Sequence, residues 1–279
     1  MLDQERIFSV LELLNLLNQS NKIASKLLQS YYRSKKLIGS KDRRFISKSF
    51  WNIIRHRYKI NWHLNYLEIE VTLEKEIMLE LFFLNKDYCN NISKIKKLFI
   101  LKYKEIKTFN EVDFKFLNDL NFHEFYNKDM PEHIFYELPN YLVESLKNGF
   151  KNKWRDVALS LNEEGFFDIR VNTIKSKSRD DIYHSLKDLK VPSRLTKYSP
   201  LGIRFSNRFP IEGHKLFKNG CIEIQGEASQ LVALLLDAKP GMQVADVCSG
   251  AGGKSLILAD IMKNKGRILS LDTNKKRLL

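Results

Sequence analysis

The sequence predicts a multi-domain chain: an all-α N-terminal part, a small α+β segment, and the incomplete start of an α/β unit. Three observations predict it. Apolar residues recur with helical spacing through residue 162. Short strand patterns broken by proline and glycine begin after Gly165, and residues 226–272 run helix, strand, glycine turn, helix, strand. The expected boundaries are 1–130, 131–220 and 221–279. A length of 279 residues suits about two domains at roughly 100–200 residues each.

In order, helices are expected at 5–18, 21–37, 42–58, 74–85, 91–101, 132–138, 140–148 and 152–162. Ser20 is placed to cap the second, and Pro131 and Pro139 suit helix starts. Asn-rich breaks at 85–91 and 118–127 separate some of them. FFDIRVN (166–172) reads as a strand, and 178–189 as a helix capped by Ser178. Short strand pieces follow, punctuated by Pro192, Pro200, Gly202, Pro210, Gly213 and Gly220. Residues 226–238 form an apolar helix ending before Pro240-Gly241. Strand 242–248, turn 249–253, helix 254–264 and strand 267–272 then make one βαβ unit.

Composition excludes several classes. Hydrophobic residues are 43% of the chain, enough for real cores and against wholesale disorder. The cysteines are Cys89, Cys221 and Cys248, with no C-x-x-C pair. A disulfide framework or a cysteine metal site is not expected, and the thiols fit a cytoplasmic protein. IFSVLELLNLL (7–17) contains Glu12 and Asn15 and has helical spacing, so it reads as neither a signal peptide nor a membrane span. A monomer without metal or membrane contact is expected.

The net charge is +14. Between Lys22 and Lys59 stand twelve basic residues and one acid, so eleven of those charges lie there. Such a block suits a polyanion, because phosphate neutralisation releases counterions. Taking 42–58 as one helix, Ile46, Phe50, Ile53 and Ile54 share a core side. Arg44, Lys48, Arg55 and Lys59 share the opposite arc, with Trp51 near it. Basic groups around an aromatic ring suit RNA; Trp51 would serve equally well packed against a neighbouring helix.

The strand–glycine turn–helix at 242–264 is a cradle for an anion or nucleotide. A phosphate-binding P-loop matches at Gly253-Lys254-Ser255, but its first glycine falls on Cys248. A dinucleotide fingerprint starting at Gly250 and Gly252 meets Ser255 in its third place. An S-adenosylmethionine site needs close backbone approach plus an acid ending the next strand, and Asp272 ends RILSLD. An ordinary βα turn would use the glycines only for tight packing.

Asp246-Val-Cys-Ser-Gly-Ala-Gly-Gly-Lys254 followed by LSLD ending at Asp272 resembles the first two motifs of the RNA (cytosine-C5)-methyltransferase family. IEIQGEASQLVALLL (222–236) resembles the segment preceding the methyltransferase core. LPNYLVESL (138–146) and DIRVNTIK (168–175) resemble the accessory RNA-contacting region. GSKDRRFISKSFWNIIRHR (39–57) resembles the NusB-like helical domain of the RsmB (Sun/Fmu) branch.

This resemblance implies a NusB-like RNA-binding domain, a small RNA-contacting subdomain, and the start of a Rossmann-like methyltransferase domain. It implies rRNA as partner, S-adenosylmethionine as cofactor, and methyl transfer to C5 of a cytosine in small-subunit rRNA. The cofactor residues are then Cys248, Ser249, Gly250, Ala251, Gly252, Gly253, Lys254 and Asp272. The RNA residues are Arg44, Lys48, Trp51, Arg55, Lys59, Arg170 and Asn172. Two positions depart from the family pattern: Ala251 stands where proline is usual, and Gly226 where an acid usually follows the glutamine.

In the implied mechanism a cysteine thiolate adds to C6, C5 takes the methyl group, and loss of the C5 proton frees the enzyme. The cysteines that do this sit in Pro-Cys and Thr-Cys motifs, and this sequence contains neither pair. They are expected beyond Leu279, so no catalytic residue is assigned. The expectation is a truncated, inactive chain with an incomplete α/β core and exposed apolar surface. A non-catalytic RNA-binding module is the alternative.

Overall fold

The computed structural model describes residues 1–100, 114–120, 123–176 and 178–278. Two compact units result, Met1–Glu163 and Glu164–Leu279. The expected boundary at 130/131 falls inside the first unit. The last residue of the predicted helix 91–101, and residues 121–122 of the Asn-rich break, lie outside the described residues.

The first unit is helical: α1 (Asp3–Asn18), α2 (Ala24–Ser34), α3 (Ser40–Arg55), α4 (Arg57–Tyr66), α5 (Leu73–Phe83), α6 (Ile92–Ile100), α7 (Lys115–Asp119), α8 (Glu132–Phe135), α9 (Asn140–Phe150) and α10 (Trp154–Asn162). Apolar stripes from α1, α3, α4 and α5 meet in one core, with Leu13, Ile46, Phe50, Ile53, Leu64 and Ile77 fully buried. Each such side chain contributes roughly 1.5–3 kcal/mol relative to exposure. Thr72 caps α5 by accepting a hydrogen bond from the Lys75 amide. Ser20 makes no such cap, since α2 starts at Ala24 with Ile23 before it. A smaller core of Tyr136, Leu138, Val143, Leu146, Trp154 and Ala158 lies under α9 and α10.

The helix expected at 42–58 is two helices. The backbone leaves helical geometry at His56 (φ −117°, ψ 23°) and restarts as α4. The cause is distant in sequence. Glu137 is buried, and its carboxylate accepts from the first-turn amides of Tyr58 at 2.9 Å and Lys59 at 3.0 Å. A carboxylate at a helix N-terminus satisfies orphan donors and favours the local dipole.

The second unit contains β1 (Phe167–Val171), α11 (Arg179–Ser185), β2 (Ser193–Leu195), β3 (Gly202–Phe205), α12 (Lys215–Lys218), β4 (Ile222–Ile224), α13 (Glu227–Leu235), β5 (Gln243–Asp246), α14 (Gly253–Ile261), β6 (Arg267–Ser270) and α15 (Lys275–Leu278). Four strands form an antiparallel sheet in the order β2-β3-β1-β4. Because β4 pairs with β1, the expected boundary at 220/221 cuts this sheet. Strand alternation sends Phe167, Ile169 and Val171 to an apolar face with Ile182 of α11 and Leu186 just after it. Asp168 and Arg170 therefore take the opposite, polar face.

β5 and β6 form a separate parallel pair, from Gln243↔Arg267 to Asp246↔Ser270, with α14 between them in sequence. Gly266 precedes β6 at φ 119°, where a Cβ would stand 2.3 Å from the Met242 carbonyl oxygen. That position accepts only glycine. Among the described residues no helix is long and apolar enough to cross a membrane.

Candidate cofactor loop and nucleic-acid interface

The turn after β5 and the end of β6 meet, as the spacing predicts. The Ser249 amide and hydroxyl both donate to the Leu271 carbonyl, at 2.9 and 3.1 Å. The Gly250 amide donates to Asp272 Oδ2 at 2.9 Å, and the Asn274 amide donates to Oδ1 at 2.7 Å. These bonds from Asn274 and Gly250 hold the Asp272 carboxyl below its ordinary pKa. Each carboxylate oxygen keeps a second lone pair, so Asp272 can still accept from a ligand.

Gly250 (φ 56°) and Gly252 (φ 83°) take left-handed conformations that let the chain turn directly into α14. The Gly252 amide closes the turn on the Ser249 carbonyl at 2.9 Å. Cys248 and Ala251 are exposed, Lys254 is half-buried, and Ser249 is buried. The first turn of α14 leaves backbone amides free of intrahelical partners, as every helix start does. A backbone with no Cβ at two turn positions, a helix N-terminus and a carboxylate together fit a ligand with a carboxylate at one end and a diol at the other.

Sequence reasoning missed the residues that brace this loop. Ser255 Oγ donates to Asp246 Oδ2 at 2.7 Å, tying the helix start to the end of β5. Gln225 Nε2 donates to the Gly253 carbonyl at 3.0 Å, while Gln225 Oε1 accepts from Arg170 Nε at 2.9 Å. Arg170 also donates to Asp260 Oδ2 at 3.2 Å. The Asp260 carboxylate takes the Thr173 hydroxyl at 2.6 Å and the amides of Thr173 and Ile174 at 2.9 and 3.1 Å. The available signal was Asp260 itself, an acid inside the otherwise apolar run SLILADIM.

Two predicted RNA residues are thereby relocated. Arg170 is 1% exposed, because its guanidinium is spent on Gln225 and Asp260; it does not present a surface. Asn172 is half-buried, donating to the Gly220 carbonyl at 3.0 Å and accepting from the Ile174 amide at 3.1 Å, which shapes the bend after β1. A third correction concerns Lys59. It is 2% exposed, with its ammonium 3.4 Å from Glu137 and 5.0 Å from the Tyr126 ring centre. The helix break at His56 turned it inward, so the basic arc ends at Arg55.

The remaining arc is intact on α3. Arg44, Lys48, Trp51 and Arg55 follow at spacings of four, three and four residues, which places them on one helix face. Arg44 and Lys48 are exposed, and Trp51 and Arg55 are half-buried. The Arg55 guanidinium lies 5.8 Å from the Trp51 ring centre, and the Trp51 ring meets Phe50 edge-on at 5.5 Å. Trp51 thus packs on the core with one edge while its outer part stays beside Arg55.

The chain is similar in sequence and fold to known proteins. The family model for the methyltransferase RsmF/B-like ferredoxin-like domain matches residues 138–212. "Ribosomal RNA small subunit methyltransferase B" of Pseudomonas syringae pv. tomato is 28% identical over 141 residues, covering 50% of this chain and 31% of the relative. "Probable ribosomal RNA small subunit methyltransferase B" of Bacillus subtilis is 47% identical over 68 residues, 24% of this chain and 15% of the relative. A Coxiella burnetii protein with that same name is 24% identical over 221 residues, 78% of this chain and 46% of the relative. The chain thus spans less than half the length of these relatives. The crystal structure of PH0851 shares the fold, with a TM-score of 0.70 at 19% identity, over 100% of this chain and 65% of that one. Over the matched segments the chain is similar to RNA (cytosine-C5)-methyltransferases, with ribosomal RNA small subunit methyltransferase B proteins and the RsmF/B-like ferredoxin-like domain among its matches.

Proposed function

We propose that this chain supplies the RNA-holding part and a portion of the cofactor site of an S-adenosylmethionine-dependent methyltransferase acting on C5 of a cytosine in small-subunit rRNA. The observation that carries this reading is the hydrogen bond from the Gly250 amide to Asp272, which sets an ionised carboxylate against the glycine turn. In this reading the first unit carries a NusB-like domain, and the second carries an RNA-contacting antiparallel sheet followed, from β5, by the start of a Rossmann-like domain. The two names rest on the resemblance; the α3 cations and the parallel β5–β6 pair are consistent with them.

The loop from Cys248 to Lys254 would meet the methionine end of the cofactor, with Lys254 and the α14 amides facing its carboxylate. Asp272 would accept from the ribose hydroxyls. When bound, S-adenosylmethionine supplies an electrophilic methyl group on a sulfonium. The protein's own part is to hold and orient: the Ser249–Leu271 and Gly250–Asp272 bonds keep the turn closed before a ligand arrives. Such preorganisation spares the cost of ordering on binding. Arg44, Lys48 and Arg55 would hold phosphates, with Trp51 available to a base. The free cysteines suit a reducing, cytoplasmic setting, and the chain would act as a monomer. None of them follows a proline or threonine, so this chain by itself is inactive in the implied covalent chemistry.

Calorimetric titration tests the reading. S-adenosylmethionine should bind the wild-type chain, and Asp272→Ala should abolish the signal. RNA affinity without any cofactor affinity would replace it with a purely RNA-binding module. Arg44→Ala with Arg55→Ala should weaken RNA binding at least tenfold, since each phosphate contact contributes to a salt-dependent affinity.

A further inference from the structure

The polar face of the antiparallel sheet has an open end where the reading above assigns no residue a contact. Arg194 on β2 and Arg204 on β3 stand directly opposite each other. Like charges so placed repel across a strand pair. Arg204 is neutralised, donating to Asp168 at 2.7 and 2.9 Å and to Glu227 at 3.2 Å. Arg194 is exposed and has no ion pair among the described residues. Phe166, just before β1, is 63% exposed, and the Arg204 guanidinium covers its ring at 3.8 Å from the centroid. A cavity of about 340 Å³ opens between Phe166, Pro192, Arg194, Arg204 and Ser206.

We propose that this cavity is a contact site for one nucleotide of single-stranded RNA, with the base on Phe166 and a phosphate at Arg194. The proposal rests on the RNA-directed reading above and adds a second contact, on the other unit. Three physical arguments converge on it. An exposed aromatic ring already stacked by a cation on one side offers its rim and remaining surface to another flat π system. An unpaired arginine facing a second arginine gains from an anion. Arg204 is anchored by two carboxylates, so its guanidinium can hold the ring in place with little loss of freedom. An acidic peptide could answer the charge but would leave the ring unused.

Fluorescence anisotropy with the full chain and a labelled oligouridylate tests this, with inorganic polyphosphate as competitor. Phe166→Leu and Arg194→Ala should each weaken RNA binding about tenfold. Phe166→Tyr should retain wild-type affinity, and Arg194→Ala should lower the salt slope by about one. Polyphosphate affinity should be unchanged in Phe166→Leu. Wild-type RNA affinity in both Phe166→Leu and Arg194→Ala, with Arg44→Ala plus Arg55→Ala impaired, would overturn the nucleotide site and leave the α3 interface standing. The reverse pattern would remove the α3 interface alone. Loss of polyphosphate and RNA binding together in Phe166→Leu would overturn base stacking, and a wild-type chain that binds no RNA would sink both.

Discussion

Two buried histidines and two buried glutamates in the helical unit set its response to acid. Burial holds His56 and His63 down to about 4, so both are neutral in the folded protein at neutral pH. Unfolding lets them take protons below about 6.5, so stability falls as pH drops from about 6.5 toward 4. Burial also pushes Glu80 up to about 7, with Asn52 as a 2.9 Å partner opposing the shift. Its sign is opposite: the folded state binds that proton more tightly, so stability falls as pH rises from about 4.5 toward 7. Burial raises Glu137 in the same sense, but Lys59 and the amides of Lys59 and Tyr58 oppose that shift, so the two histidines dominate. The melting temperature should therefore drop on acidification from pH about 6.5 to 4.5. His63→Phe should shrink that drop, and Glu80→Gln should steepen it. Thermal melts across this range decide; a larger acid sensitivity in His63→Phe would contradict the assignment. Asp272 was legible because its partner lies in the adjacent turn of a strand–turn–helix pattern. Lys59 and Arg170 were misplaced because their partners, Glu137 and Asp260, lie 78 and 90 residues away.

The break between α3 and α4 shows the same principle in an element. The sequence around His56 contains no proline or glycine, and apolar spacing continues through it. Nothing local marks the end of one helix; Glu137 imposes it from across the fold. Glu137→Ala would leave a buried ammonium and two first-turn amides without their acceptor. The expected destabilisation is about 3–5 kcal/mol, measured by urea denaturation, and a change under 1 kcal/mol would refute this account of the break. The βαβ elements were legible because the glycines, the apolar strands and the apolar helix all agree. Their ends were not: β5 and β6 are each shorter than the patterns 242–248 and 267–272. The pairing stops where the backbone bends to close the loop. Gly252→Ala would put a Cβ on a left-handed residue, at a cost of roughly 1–2 kcal/mol. S-adenosylmethionine affinity should fall in parallel, and unchanged affinity would mean that the turn does not need its conformation.

Across the whole molecule the packing is uneven. β1, central in its sheet, is buried along its entire length. The equally apolar segment around β5 and β6 leaves Val247 65% and Leu269 54% exposed. Among the described residues the two strands pair only with each other. Local opening needs less free energy where fewer buried contacts hold the amides. Hydrogen exchange should therefore be faster in β5 and β6 than in β1, and equal protection would show that the apolar surface is covered in solution. The α+β layout was legible from the change of texture at Gly165, which falls within two residues of the observed division after Glu163. The sheet membership of β4 was not, because three residues ahead of an apolar helix carry no pairing information by themselves.

The decisive measurement is a crystal structure of the chain grown with S-adenosylmethionine. The account predicts the cofactor lying along Cys248–Lys254 with its ribose hydroxyls on the Asp272 carboxylate. A nucleoside triphosphate bound there in preference, or the cofactor seated elsewhere with Asp272 untouched, would contradict it.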